Sequence, residues 1–139
     1  MPSYLVVLIS GGKSKYGNKL SSSVAKRLRE LQSSHGDEFA ILRKILNTIQ
    51  QENTGVKAYD EYVSNEVIKK LPKACGKDTL WEIRAPKTRR SGVIRAYFHK
   101  ARNSERKLVL LDAEFKVKKE PDLSTACKRL KEYIRDYDN

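Results

Sequence analysis

An α/β (α+β) fold follows from three features of this 139-residue chain: a short β-branched run near its start, helical spacing through its first half, and a switch to period-two alternation from about residue 79. The resulting order is a strand, two or three helices, three strands and a closing helix.

Residues 4–9 are apolar and rich in β-branched side chains, and Gly11 and Gly12 punctuate their end, which predicts a buried strand inside the sheet. Ser21, Ser22 and Ser23 then offer cap oxygens ahead of Val24, Ala25, Leu28 and Leu31, a helical stripe that ends near Gly36. Asp37 is read as the cap of a second helix, in which Phe39, Leu42, Ile45, Leu46 and Ile49 repeat at helical spacing before Gly55. A third helix is predicted over residues 59–71, where Tyr59, Tyr62, Val63 and Val67 share a face and Pro72 disfavours continuation.

Beyond Gly76 the period changes. Trp81 and Ile83 alternate with Glu82 and Arg84, and Val93, Arg95, Tyr97 and His99 alternate with Ile94, Ala96 and Phe98. Residues 107–115 hold a continuous apolar run, as a central strand covered on both faces requires. Pro121 and Asp122 open the last helix, striped by Leu123, Ala126, Cys127, Leu130, Ile134 and Tyr137. The chain reads as one domain over residues 1–139, with the strand and helices in 1–71 and a basic sheet with the last helix in 79–139.

Charge is concentrated. Residues 69–119 carry sixteen Lys or Arg against five Asp or Glu, which is nearly all of the chain's net charge of +12. Gathering like charge costs stability through self-repulsion, so a polyanionic partner is expected, although nucleic acid, an anionic membrane surface, an acidic protein and a merely solvated surface all fit charge alone. The start, MPSYLVVLIS, lacks the basic flank and long apolar run of a secretory signal, and no window approaches a membrane span, so a cytoplasmic protein with no membrane partner is expected. Cys75 and Cys127 are too few and too separated for a disulfide framework or a paired zinc site and are read as reduced, structural thiols. With His35 and His99 the only histidines, neither a metal site built on imidazole nor a cofactor is expected. Gly11-Gly12-Lys13-Ser14 imitates a phosphate loop, but Val7 stands where that motif needs its first glycine.

The segments L-W-E-I-R (80–84), S-G-V-I-R-A-Y-F (91–98), V-L-L-D-A-E-F-K-V-K-K-E-P (109–121) and S-T-A-C-K-R-L (124–130) occur in the order that resembles the RelE/HigB toxin superfamily, closest to its phage-associated HigB-like branch. The resemblance covers about the last two-fifths of the chain. It implies a RelE-like fold with an N-terminal strand, helices, a three-stranded antiparallel meander and a C-terminal helix. It also implies a toxin of a type II toxin–antitoxin system that cuts messenger RNA on the ribosome and is neutralised by a cognate antitoxin. Relatives on the same fold inhibit DNA gyrase instead, and a plain RNA- or ribosome-binding module is the third reading.

Metal-independent RNA cleavage needs the ribose 2′-hydroxyl to attack the adjacent phosphate, with cations to hold the developing charge and a group to carry the proton. Arginine's planar fork suits the phosphorane. Arg95, at the position of the family's phosphate-binding arginine, is the first candidate, and Arg84, on the L-W-E-I-R strand, is the second. Lys118 and His99 are the candidate proton carriers. Lys87, Arg89, Arg90, Lys116 and Lys119 are expected to contact the RNA backbone. Glu82 stands where the best-studied ribonucleolytic relative has lysine, so it either serves as base or pairs with a neighbouring arginine. Trp81 either stacks on a base or lies in the core.

Overall fold

The computed structural model describes residues 3–7, 15–102, 106–117 and 122–138, with α1 side chains described from Val24 onward. Along the chain lie β1 (Leu5–Val7), α1 (Lys15–Ser34), α2 (Gly36–Ile49), α3 (Gly55–Ser64), β2 (Ile68–Cys75), β3 (Asp78–Ala85), β4 (Val93–Lys100), β5 (Lys107–Lys116) and α4 (Ser124–Tyr137). The strands form one sheet in the order β1-β5-β4-β3-β2. Within it β2 to β5 make an antiparallel meander, while β1 joins β5 in parallel.

The mixed α+β class is as expected, but the meander has four strands where three were expected. The difference lies in residues 59–71: α3 stops at Ser64, Glu66 takes a left-handed turn (φ 66°), and Ile68 begins a strand. Pro72 is accommodated because β2 is the last strand in the order and its register with β3 shifts between Leu71 and Cys75. A residue without an N–H belongs at such an edge or irregularity. β1, expected inside the sheet, lies at the opposite edge with Leu5 exposed. The helix starts differ as well. α1 begins at Lys15, so the three serines fall within it, and His35 rather than Asp37 precedes α2, leaving Asp37 in the first turn where its charge suits the helix dipole.

Alternation along the strands sends side chains to two cores. On one face Ile83, Ala85, Ile94, Ala96, Phe98, Leu108, Leu110 and Ala113 meet Leu42, Ile45 and Ile49 of α2 and Tyr59 of α3. On the other, Leu80, Tyr97, Val109 and Leu111 meet Ala126, Leu130 and Tyr133 of α4. Fully buried residues such as Phe98, Leu42 and Leu130 each contribute about 1.5–3 kcal/mol of transfer free energy. β5 supplies both cores, the expected signature of its unbroken apolar run.

Two local devices set the sheet's borders. Gly92, at φ 121°, enters β4 where any Cβ would run into the Phe115 ring, and that ring is stacked on His35 at 3.6 Å. Only glycine fits both the dihedral and the space. Alongside β5, Arg27 Nε of α1 donates to the Ala113 carbonyl at 2.9 Å and Arg129 Nη1 of α4 donates to the Leu111 carbonyl at 2.6 Å.

The cysteines are a correction. Cys75 ends β2 directly beside α4, with its Cα 5.2 Å from that of Cys127, and the two form a disulfide rather than free thiols. Neither the strand nor that adjacency is visible in the spacing of two cysteines.

Candidate nucleic-acid interface

Register decides which polar groups of the sheet meet. β3 and β4 pair Arg84 with Arg95 and Glu82 with Tyr97, and β4 and β5 pair Arg95 with Glu114 and Tyr97 with Asp112. By alternation all six side chains lie on the α4 face. Two arginines directly opposite each other repel, so their pairing needs a counter-charge on the same face.

Glu82 provides it. Its Oε1 accepts from Arg84 Nε at 2.7 Å and its Oε2 lies 3.6 Å from Arg95 Nη1. Its neighbour Glu114 accepts a 2.5 Å bond from the Tyr97 hydroxyl, takes a backbone bond from the Asp122 N–H and pairs with Lys116 Nζ at 3.4 Å. Burial and the Glu114 bond push the Tyr97 hydroxyl's pKa far above its ordinary value, so it stays a donor.

Depth gives this cluster its polarity. The Glu82 side chain is 1% exposed, while those of Arg84, Arg95 and Lys116 are 27%, 17% and 23% exposed. Carboxylates form the floor and cations the rim, with three positive charges over two negative ones. Arg95 Nε is buried without a hydrogen-bond partner. The arrangement holds two guanidinium groups at one place, each partly open to solvent, a geometry able to take an anion.

Of the residues expected at the site, Arg84, Arg95 and Lys116 come together. His99 does not. It sits four residues along β4 from Arg95, about 13 Å away at strand rise, with its Nε2 2.7 Å from the buried Asp138 carboxylate and its ring edge-on to Tyr133. Burial lowers its pKa, outweighing the upward pull of Asp138. It fastens the end of α4 to the sheet and is no proton carrier for the arginine pair. Lys87, Arg89 and Arg90 are exposed between β3 and β4, and Arg89 reaches Glu38 of α2 at 3.1 Å, which ties this loop toward the helical layer. Lys118 and Lys119 lie outside the described residues. Glu82 takes the pairing role rather than the role of a free base, because both its oxygens face guanidinium groups.

Other charged groups escaped the sequence reading. Asp112, its pKa raised by burial, faces Arg129 at 3.7 Å in a cavity of about 280 Å³ between α1, β5 and α4, lined also by Lys26, Arg27, Glu30 and Thr125. Trp81 is half-buried, near Tyr59 and Phe98, and Lys100 Nζ lies over its ring at 4.8 Å. Helical spacing marks Arg129 and alternation marks Asp112, but only the packing of α4 on β5 joins them.

Among the described residues no group of His, Cys, Asp and Glu is arranged to hold a metal ion, and no helix is long and apolar enough to cross a membrane. Comparison of the chain with protein-family models, curated proteins and solved structures gave no match.

Proposed function

We propose that the chain binds RNA phosphodiester at the Arg84–Arg95 pair and acts as the toxin of a type II toxin–antitoxin system, a ribosome-dependent messenger endoribonuclease. The observation that carries this reading is the meeting of two arginines from adjacent strands over one buried carboxylate, at the rim of a strongly basic sheet. Glu82 fixes the inner side of each guanidinium, so that the outer N–H groups are held ready for a phosphate. The 2′-hydroxyl attacks the adjacent phosphorus without a metal, Arg95 and Arg84 hold the phosphorane oxygens, the P–O5′ bond breaks to leave a 2′,3′-cyclic phosphate, and a lysine of the 116–119 run relays the 2′-hydroxyl proton to the departing 5′-oxygen. Messenger RNA on the ribosome is the substrate, in the cytoplasm, and a cognate antitoxin with an acidic segment covers the same face.

A second reading has its own support. Glu82 is committed to both arginines and His99 is held by Asp138, so among the described residues the pair lacks an uncommitted carboxylate or imidazole as base. That favours a non-catalytic toxin of the gyrase-inhibiting kind, or a basic RNA- or ribosome-binding module.

Induction of the chain alone separates these readings. A nuclease arrests growth and cuts transcripts only while they are translated, and Arg95→Ala lowers cleavage by about 10²–10³-fold. Arg95→Lys, which keeps the charge but loses the fork, restores only part of it. Arrest with intact transcripts and a DNA-damage response would point to the gyrase alternative. Normal growth with salt-sensitive RNA binding would leave the binding module.

A further inference from the structure

A second basic hollow lies at the other end of the meander. Lys77 of the β2–β3 turn, Thr79 and Trp81 of β3, His99 and Lys100 at the end of β4, and Arg102 just beyond it enclose about 160 Å³. That is below the roughly 300–1,000 Å³ of pockets that take whole drug-sized molecules, and it fits a compact group. We propose that this hollow is a phosphate site, in which Lys77, Lys100 and Arg102 hold the anion and the Trp81 ring forms the apolar wall.

Two of the nearby carboxylates, Asp78 and Asp138, already have partners. Asp78 accepts from Arg102 Nη2 at 3.0 Å, taking one of the five guanidinium N–H groups and setting the direction of the rest. Asp138 is buried and bonded to His99 and to the Arg102 backbone N–H. Lys100 stands over both the Trp81 and Tyr59 rings, at 4.8 and 5.1 Å. Its surroundings lower its pKa through burial, with Lys70 adding to that and Asp60 opposing it. Asp60 pulls harder than Lys70 pushes, so burial is what acts here, and a cation partly stripped of water gains more from a bound anion than a solvated lysine does. The phosphate belongs to a free nucleotide or to an RNA strand.

This site is independent of the arginine pair. Arg95 and Lys100 are five residues apart on one strand, about 16 Å, and the end of α4 packs beside His99 between them. The inference therefore stands whether or not the Arg84–Arg95 reading does.

Trp81 is the chain's only tryptophan, so its emission reports on this hollow directly. Titrations of the whole chain at fixed ionic strength would use inorganic phosphate, adenosine monophosphate and a short 5′-phosphorylated oligoribonucleotide. A saturable change in emission is expected. It weakens by at least about tenfold in Lys77→Ala/Arg102→Ala and stays as in the parent chain in Lys128→Ala, a loss of one exposed positive charge outside the hollow. Lys77 is exposed, so Lys77→Ala alone gives a smaller loss with an unmoved unfolding midpoint, which separates lost binding from lost folding. Saturation by the mononucleotide assigns a free-nucleotide site, and saturation by the oligomer alone assigns an RNA strand. No saturable change, an equal change in the double variant, or reproduction of the change by chloride at matched ionic strength would overturn the proposal.

Discussion

Glu82→Gln tests the architecture of the arginine pair. The amide keeps the size of the side chain and one acceptor oxygen, but it turns an NH2 group toward a guanidinium and leaves Arg84 and Arg95 facing each other without the carboxylate that bridges them. Removing one member of a fully buried ion pair costs about 3–5 kcal/mol. Both guanidinium groups here reach solvent in part, which brings the figure down to about 2–3 kcal/mol. In urea, with a slope of about 2 kcal/mol per molar, the unfolding midpoint falls by about 1–1.5 M. Trp81 emission provides the signal. The double variant Glu82→Gln/Arg95→Met must lose less than the sum of its single changes, since the second change removes one of the stranded cations. A midpoint lowered by under about 0.3 M at unchanged slope, or strict additivity, would refute the claim that Glu82 holds the pair together.

Two further outcomes follow from the packing of α4. Because burial lowers the pKa of His99 below the 6.5 of an unfolded histidine, the stability its neutral form contributes is complete above that value and is lost as pH falls from there toward the lower folded value. Midpoints measured from about pH 7.5 to about pH 5.5 should therefore decline, and His99→Gln, which still donates to Asp138, should flatten that decline; a rise on acidification would mean that the two form a charged pair. Reducing the Cys75–Cys127 bridge, which closes a loop of 52 residues, is expected to cost up to about 4 kcal/mol by the chain-entropy relation. Unfolding with and without dithiothreitol reads that cost, and a shift only as large as that of a double Cys→Ser control exposed to the same reagent would discount it.

The parts of the fold that were legible in the sequence are those whose burial is one-sided. Ile83 against Arg84 and Ile94 against Arg95 fix both the strands and the face on which the arginines lie, because a strand's period of two leaves no other choice. β2 was illegible for the opposite reason. Edge strands carry lysines and proline to discourage further pairing, so I-K-K-L-P-K-A-C lacks clean alternation, and the helical intervals of Tyr59, Tyr62 and Val63 ran on into it. That single misreading also concealed the disulfide, since Cys75 meets α4 only once β2 lies beside β3. Partners across strands were equally hidden. Glu114 opposite Arg95 depends on the β4–β5 register, including its shift at Tyr97/Phe98, and nothing in the order of residues specifies that shift.

Arg27 and Arg129, bonded to the carbonyls of Ala113 and Leu111, occupy acceptors that a neighbouring molecule would need for strand donation along that flank. At β2, an outer strand of the sheet, Lys69, Lys70 and Lys73 are all exposed and repel an identical chain on approach. That stretch of β5 resists strand addition by having its acceptors occupied and β2 resists it by electrostatics, so concentrated salt should promote self-association through β2.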